Sequence, residues 1–200
     1  MKHRDLLISA FALVALAQLF VPWQMISRQP KFAETGVEYK FKIDSKAKSD
    51  DNWAGASIRG KYIWLKFEED HIKIADKKEW ENFQSAYVLL THDSAGFAKI
   101  ESVTKTKPAN SIEWVRARAW VNWKDSTMLH LEYPFNMYYF KDTSPKEIES
   151  ILKNGLGDSL KLNYLSVKIR ENQFFVTDLN IDGISFKEMM DKVKKSKPDK

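Results

Sequence analysis

Cysteine is absent from this 200-residue chain. That excludes disulfides, a lipid-modified cysteine anchor, thiolate metal ligands and a cysteine nucleophile. It fits either side of a membrane and does not place the protein by itself. Internal repeats and low-complexity tracts are also missing. Histidine is scarce, with only His3, His71, His92 and His130. No pair of them has the helix-face spacing of a metal site, so neither a metal nor a cofactor is expected. Charge of one sign is only weakly in excess, at +5 with a pI near 9.1. Part of the lysine excess follows Phe186, and it reads as solvated surface rather than a nucleic-acid footprint.

What is present divides the chain. Leu6 to Ile26 is mostly apolar and carries no charged residue. At about 1.5 Å of rise per residue, about 21 helical residues span roughly 30 Å, the hydrocarbon thickness of a bilayer. Lys2 and Arg4 precede the run. Trp23 suits the interface, and Arg28 and Lys31 come after it, which orients the N-terminus inward. Ala15-Leu16-Ala17 offers an alternative, a signal-peptide cleavage pattern. Against cleavage, Leu19-Phe20-Val21-Pro22-Trp23 continues the apolar run. Either route exports the rest of the chain. The expected organisation is a membrane anchor and linker over 1–30, a β-rich extracytoplasmic domain over 31–186 and a basic, frayed tail over 187–200.

The remainder reads as one globular domain, because 44% of residues are hydrophobic and 30% charged. Twelve Phe, seven Trp and seven Tyr favour strands and packed sheets. Val37, Tyr39, Phe41 and Ile43 alternate with polar residues, predicting a half-buried strand. Ser45 to Ser57 is polar. Lys61 to Phe67 is a second strand, and Asp76 to Phe83 is a short helix or a loop. Ala86–Thr91 and Phe97–Val103 flank a turn at Asp93–Gly96. Ile112–Trp123 and Thr127–Tyr133 form the clearest hairpin, closed by Lys124-Asp125-Ser126. Its register sets Val121 opposite Leu129, Ala119 opposite Leu131, Trp120 opposite His130 and Arg118 opposite Glu132. A one-residue slip would destroy that match. Ser144-Pro145-Lys146-Glu147 is a capping box opening a helix that ends near Gly155. A last hairpin pairs Leu162–Ile169 with Phe174–Ile181 across Glu171-Asn172. Asp182-Gly183 breaks it, and Ser185 to Glu188 caps a short helix. The fold class expected is mainly β, an antiparallel sandwich or partly open barrel with one or two short helices behind a single transmembrane helix.

Gly60-Lys61-Tyr62-Ile63-Trp64-Leu65-Lys66-Phe67 resembles the motif of the GDYXXLXY family of bacterial membrane-anchored proteins. Val21-Pro22 at the end of the apolar run, Tyr139-Phe140 before a Pro145 to Glu149 helix start, and Asp178-Leu179-Asn180-Ile181-Asp182-Gly183 at the end are similar too. The resemblance covers most of the chain. It implies architecture and anchoring at the bacterial cytoplasmic membrane, single-pass, with the C-terminal domain outside; it implies no reaction. Lys61 stands where the family has Asp, and Phe67 where it has Tyr, so any role of that Asp is missing here. The motif residues Gly60, Tyr62, Leu65 and Phe67, with Asp178, Asp182 and Gly183, read as structural. Gly60 permits a turn, Tyr62 and Trp64 share one strand face, and Ile63, Leu65 and Phe67 share the other.

No catalytic set stands out. Gly157-Asp158-Ser159-Leu160 spells a hydrolase nucleophile string but comes later than every histidine and lies after a helix, so chance accounts for it. Three Ser-x-x-Lys matches are expected by accident in a lysine-rich chain. The candidate binding surface is Trp114, Arg116, Arg118 and Trp120 on one strand face, with His130 across from Trp120. Aromatic and guanidinium groups together can stack on sugars or grip anionic headgroups. The competing reading has Glu132 neutralise Arg118 and a neighbouring element cover the tryptophans. The expectation is a non-enzymatic binding or assembly module of the envelope, reaching the membrane through its helix. Its partner would be another envelope protein, an anionic lipid or a glycan, and not nucleic acid. The alternatives are an envelope hydrolase using Asp or Glu as acid and base, and a module binding anionic lipid or glycan.

Overall fold

Alternation of small apolar and charged residues makes Trp114–Val121 a strand with two unlike faces. Val115, Ala117 and Ala119 are buried on one side, while Arg116 and Arg118 are exposed on the other. It pairs antiparallel with Met128–Glu132 in the register the sequence predicts, Val121 to Leu129, Ala119 to Leu131, Trp120 to His130 and Arg118 to Glu132. The computed structural model from which this is read describes residues 8, 11, 13–20, 22, 23, 35–44, 56–59, 61–81, 83–109, 111–122, 125–140, 144–156 and 162–195.

The chain divides into two units, residues 1–36 and 37–200. In the first, residues 13–20 are helical and expose apolar side chains such as Leu13, Leu16, Leu19 and Phe20. Among the described residues no helix is long and apolar enough to cross a membrane. Several residues of the Leu6–Ile26 run lie outside the described set.

The second unit is mainly β, with a nearly closed five-stranded antiparallel barrel and short helices. Its strands are β1 (Val37–Lys42), β2 (Ala56–Arg59), β3 (Tyr62–Leu65), β4 (His71–Lys73), β5 (Gln84–His92), β6 (Ala98–Thr104), β7 (Trp114–Val121), β8 (Met128–Glu132), β9 (Met137–Tyr139), β10 (Tyr164–Arg170), β11 (Gln173–Ile181) and β12 (Ile184–Ser185). They form three antiparallel sheets, ordered β1-β10-β11-β12, β2-β3-β9 and β4-β8-β7-β5-β6. Strands β2, β4, β9 and β12 go beyond the strands the sequence predicts. Each has two to four residues, too few for a period of two to show. Ala56 and Ser57 therefore belong to a strand rather than to the polar stretch expected there.

Turn chemistry fixes the hairpins. Glu171 and Asn172 both have positive φ, 48° and 68°. So do Asp182 and Gly183, at 54° and 75°. Two consecutive left-handed residues match the right-handed twist of paired strands. At the β5–β6 turn, the Asp93 carboxylate accepts from the Ala95 and Phe97 amides at 2.9 and 2.8 Å. Those bonds, that to Phe97 foremost, hold its carboxyl below the usual range.

Helix α1 (Pro145–Leu156) opens on the expected box, with the Ser144 amide donating to Glu147 Oε2 at 3.1 Å and the Glu147 amide to Ser144 Oγ at 3.4 Å. Its Ile148 and Leu152 are fully buried. Helix α2 (Phe186–Lys195) begins at the residue expected to end the domain. Phe186 and Met190 lie in the same hydrophobic core as β1, so a division at 187 cuts a packed helix, and the tail is helical as far as Lys195. The centre of that core is aromatic. Phe41 lies 5.4, 5.3 and 4.9 Å, ring to ring, from Phe67, Tyr133 and Phe135.

Candidate functional site

The β3 strand sends Ile63 and Leu65 into the core and leaves Tyr62 and Trp64 half-buried. The motif strand is thus central in its sheet and covered fully on one face only. Past Phe67 the chain turns to meet β8, where the Leu131 amide donates to the Asp70 carbonyl at 2.7 Å. The buried Tyr133 hydroxyl donates to the Glu69 carbonyl at 2.7 Å, and Glu69 Oε2 accepts from the Ile100 amide at 3.0 Å. These bonds anchor the segment that carries Asp70 and His71.

His71 is opposite His130 in the β4–β8 pair, their rings 6.0 Å apart. The His71 Nδ1–H donates to Asp70 Oδ1 at 2.8 Å. Asn122 Nδ2 donates to His130 Nε2 at 3.0 Å, which makes that nitrogen an acceptor and puts the ring proton on Nδ1. Around these groups lies a groove of about 660 Å³. Trp64 lines it from β3 and Trp120 from β7, with Asp70, His71, His130, Asn122 and Asn136 between. A second hollow of about 570 Å³ shares Glu132, Tyr133 and Asn136 with it and is lined by Arg116 and Arg118. Between them stands a row of rings. Phe83 stacks on Trp120 at 6.0 Å, and Trp120 on His130 at 5.6 Å.

Phe83 is 68% exposed and has φ of 60°. A bulky residue in the left-handed region costs about 1–2 kcal/mol. The strained backbone displays an exposed ring that borders the second hollow and stacks on Trp120. Nothing in the sequence distinguishes it, because the turn that displays it carries no glycine signal.

The five candidate surface residues separate in the fold. Arg116, Arg118, Trp120 and His130 line the two hollows. Trp114 does not. It is 4% exposed, with the edge of Tyr87 at 5.2 Å and the Lys107 ammonium 5.5 Å from its ring. Its buried indole N–H has no acceptor among the described residues. Alternation sets its face correctly, but the neighbouring strand and loop cover that end. Arg118 lies 3.6 Å from Glu132, as the register implies. Of the motif residues, Leu65 and Phe67 are core, Asp178 accepts from the next amide at 2.9 Å, and Asp182-Gly183 makes a turn. Gly60 and the string at 157–160 lie outside the described residues.

Burial raises the Asp70 carboxyl above its ordinary range, opposed by the hydrogen bond and charge of His71. Burial lowers His130 below 6.5; the charges of His71 and Lys66 act the same way and Asp70 opposes them. A histidine depressed in the folded state binds a proton more weakly than in the unfolded chain. It therefore contributes stability fully present above pH 6.5 and lost as pH falls through its folded value. His130→Gln, which keeps an acceptor for Asn122, is expected to flatten the fall in melting temperature below pH 6.5. An unchanged slope would assign the acid sensitivity elsewhere.

Among the described residues, no three ligating side chains are grouped as a metal ion would need. The arrangement offers indole surfaces, planar hydrogen-bonding groups and a histidine-bonded carboxyl in one recess. Set against known proteins, the chain matches no family model, no curated protein and no solved structure.

Proposed function

We propose that this chain is a membrane-tethered, non-catalytic binding module of the bacterial envelope, and that its β-domain holds a glycan segment in the groove lined by Trp64 and Trp120. One observation carries the reading. Two indoles from different sheets share a recess with Asp70, His71, His130, Asn122 and Asn136. Sugar rings present apolar faces to aromatic surfaces and hydroxyls to planar amides and carboxylates, the combination found here. The recess also falls in the range of roughly 300–1,000 Å³ usual for small-ligand sites. The tether rests on the charge-free run Leu6 to Ile26 and its flanks. The resemblance to the GDYXXLXY family supports the same placement.

Hydrolysis is the second reading. It is favoured by Asp70, a carboxyl that keeps its proton longer than usual and lies within hydrogen-bond reach of a histidine. One experiment separates the two. The full chain is expected to pellet with membranes and, once extracted in detergent, to bind chitopentaose saturably with a change in tryptophan fluorescence. The sugar should be recovered intact after prolonged incubation. Shorter sugars in the products would establish a hydrolase. A soluble chain would remove the tether, and an absence of binding the glycan.

A further inference from the structure

We infer that the second hollow is an oxyanion subsite, so that the glycan recognised is one carrying carboxylate or phosphate groups; this rests on the glycan reading above. Three charged side chains line that hollow, Arg116, Arg118 and Glu132. Cations outnumber the carboxylate there, and the imbalance is fixed in place. The Arg116 guanidinium is held by Ser85, whose Oγ accepts from Nε at 3.0 Å and from Nη2 at 2.8 Å. The Arg116 backbone amide donates to Asn172 Oδ1 at 2.8 Å, which ties β7 to the β10–β11 turn. A neutral hydroxyl orients the guanidinium without consuming its charge. Its remaining N–H groups have no partner among the described residues, and a planar fork of donors is the geometry that receives a carboxylate or phosphate.

Arg118 stands two residues along on the same face, about 7 Å away by strand rise. Its only ion pair among the described residues is with Glu132 at 3.6 Å, too long for a well-made bidentate pair, and its side chain is 62% exposed. Such an exposed pair contributes little, so an incoming anion displaces Glu132 at small cost. Glu132 also lines the first groove, as do Tyr133 and Asn136. One ligand can therefore lie across both recesses, with a ring against Trp120 and a charged substituent at Arg116 and Arg118. Phe83, Met137 and Phe174 border the same hollow.

The test compares three probes on the detergent-extracted full chain at low ionic strength. They are chitopentaose, tetragalacturonate and pentamannosyl phosphate. Both anionic probes are expected to bind at least tenfold more tightly than chitopentaose, with an advantage that shrinks as salt is added. Tetragalacturonate alone gaining would identify carboxylate as the group; pentamannosyl phosphate alone gaining would identify phosphate. Arg116→Gln and Arg118→Gln, both exposed, should each erase most of that advantage. Glu132→Gln should enlarge the advantage severalfold by freeing Arg118. Chitopentaose binding with no anionic preference, or a preference untouched by the arginine variants, overturns the subsite and leaves the groove standing. Failure of all three probes to bind overturns both.

Discussion

Phe41→Ala is expected to lower the unfolding free energy of the β-domain by about 3–5 kcal/mol, the usual range for deleting a buried ring. The side chain is fully buried on the inward face of β1. Three other rings meet it within 5.4 Å, and all three are themselves buried. The three rings also pack on one another, so the cavity cannot collapse cheaply. Total stabilities are only about 5–15 kcal/mol. In a unit of this size each kcal/mol moves the melting temperature by about 2–4 °C. A drop of roughly 6–20 °C should result in a thermal melt of the full chain monitored by near-ultraviolet circular dichroism. Phe41→Leu, which retains most of the volume, should lose clearly less. A shift of 2 °C or under for the alanine variant would mean that the aromatic cluster is not a single packed core.

How far such a core can be read from the sequence depends on the length of each signal. Tyr39 and Phe41 sit in a strand of six residues whose alternation is unmistakable, and both are fully buried. The β7–β8 register is legible because a charge pair and two apolar pairs coincide in one alignment only. The capping box is legible because its two bonds join residues three apart. By contrast, β9 pairs Tyr139 with Tyr62, and β4 pairs His71 with His130. Each is three residues long and meets a strand far along the chain, so no local pattern records it. The groove inherits that difficulty. Trp120 and His130 are visible together as cross-strand neighbours. Trp64, Asp70, His71 and Asn136 reach them from segments joined by those short pairings and by single long-range bonds such as Leu131 to Asp70. Trp114 shows the opposite failure. Periodicity states which way a side chain points and is silent on whether Tyr87 and Lys107 lie over it.

Trp120→Ala is expected to weaken chitopentaose binding by about tenfold or more, equivalent to about 1.4 kcal/mol. An aromatic contact contributes about 0.5–1.5 kcal/mol beyond the area it buries, and the indole also keeps water from the ligand. The ring does a second job. Packed between Phe83 and His130, it keeps Phe83 at the rim and holds the imidazole so that Nε2 faces Asn122. Its loss should therefore remove the ring row as well as the contact. Trp120→Phe should recover part of the affinity, because a smaller ring still stacks. The domain itself should stay folded, since Trp120 is half-buried and lies outside the buried core cluster. Trp64→Ala supplies the independent arm from the other sheet. If both alanine variants bind chitopentaose as tightly as the parent while retaining its near-ultraviolet spectrum, the indoles do not hold the sugar, and the glycan reading fails with them.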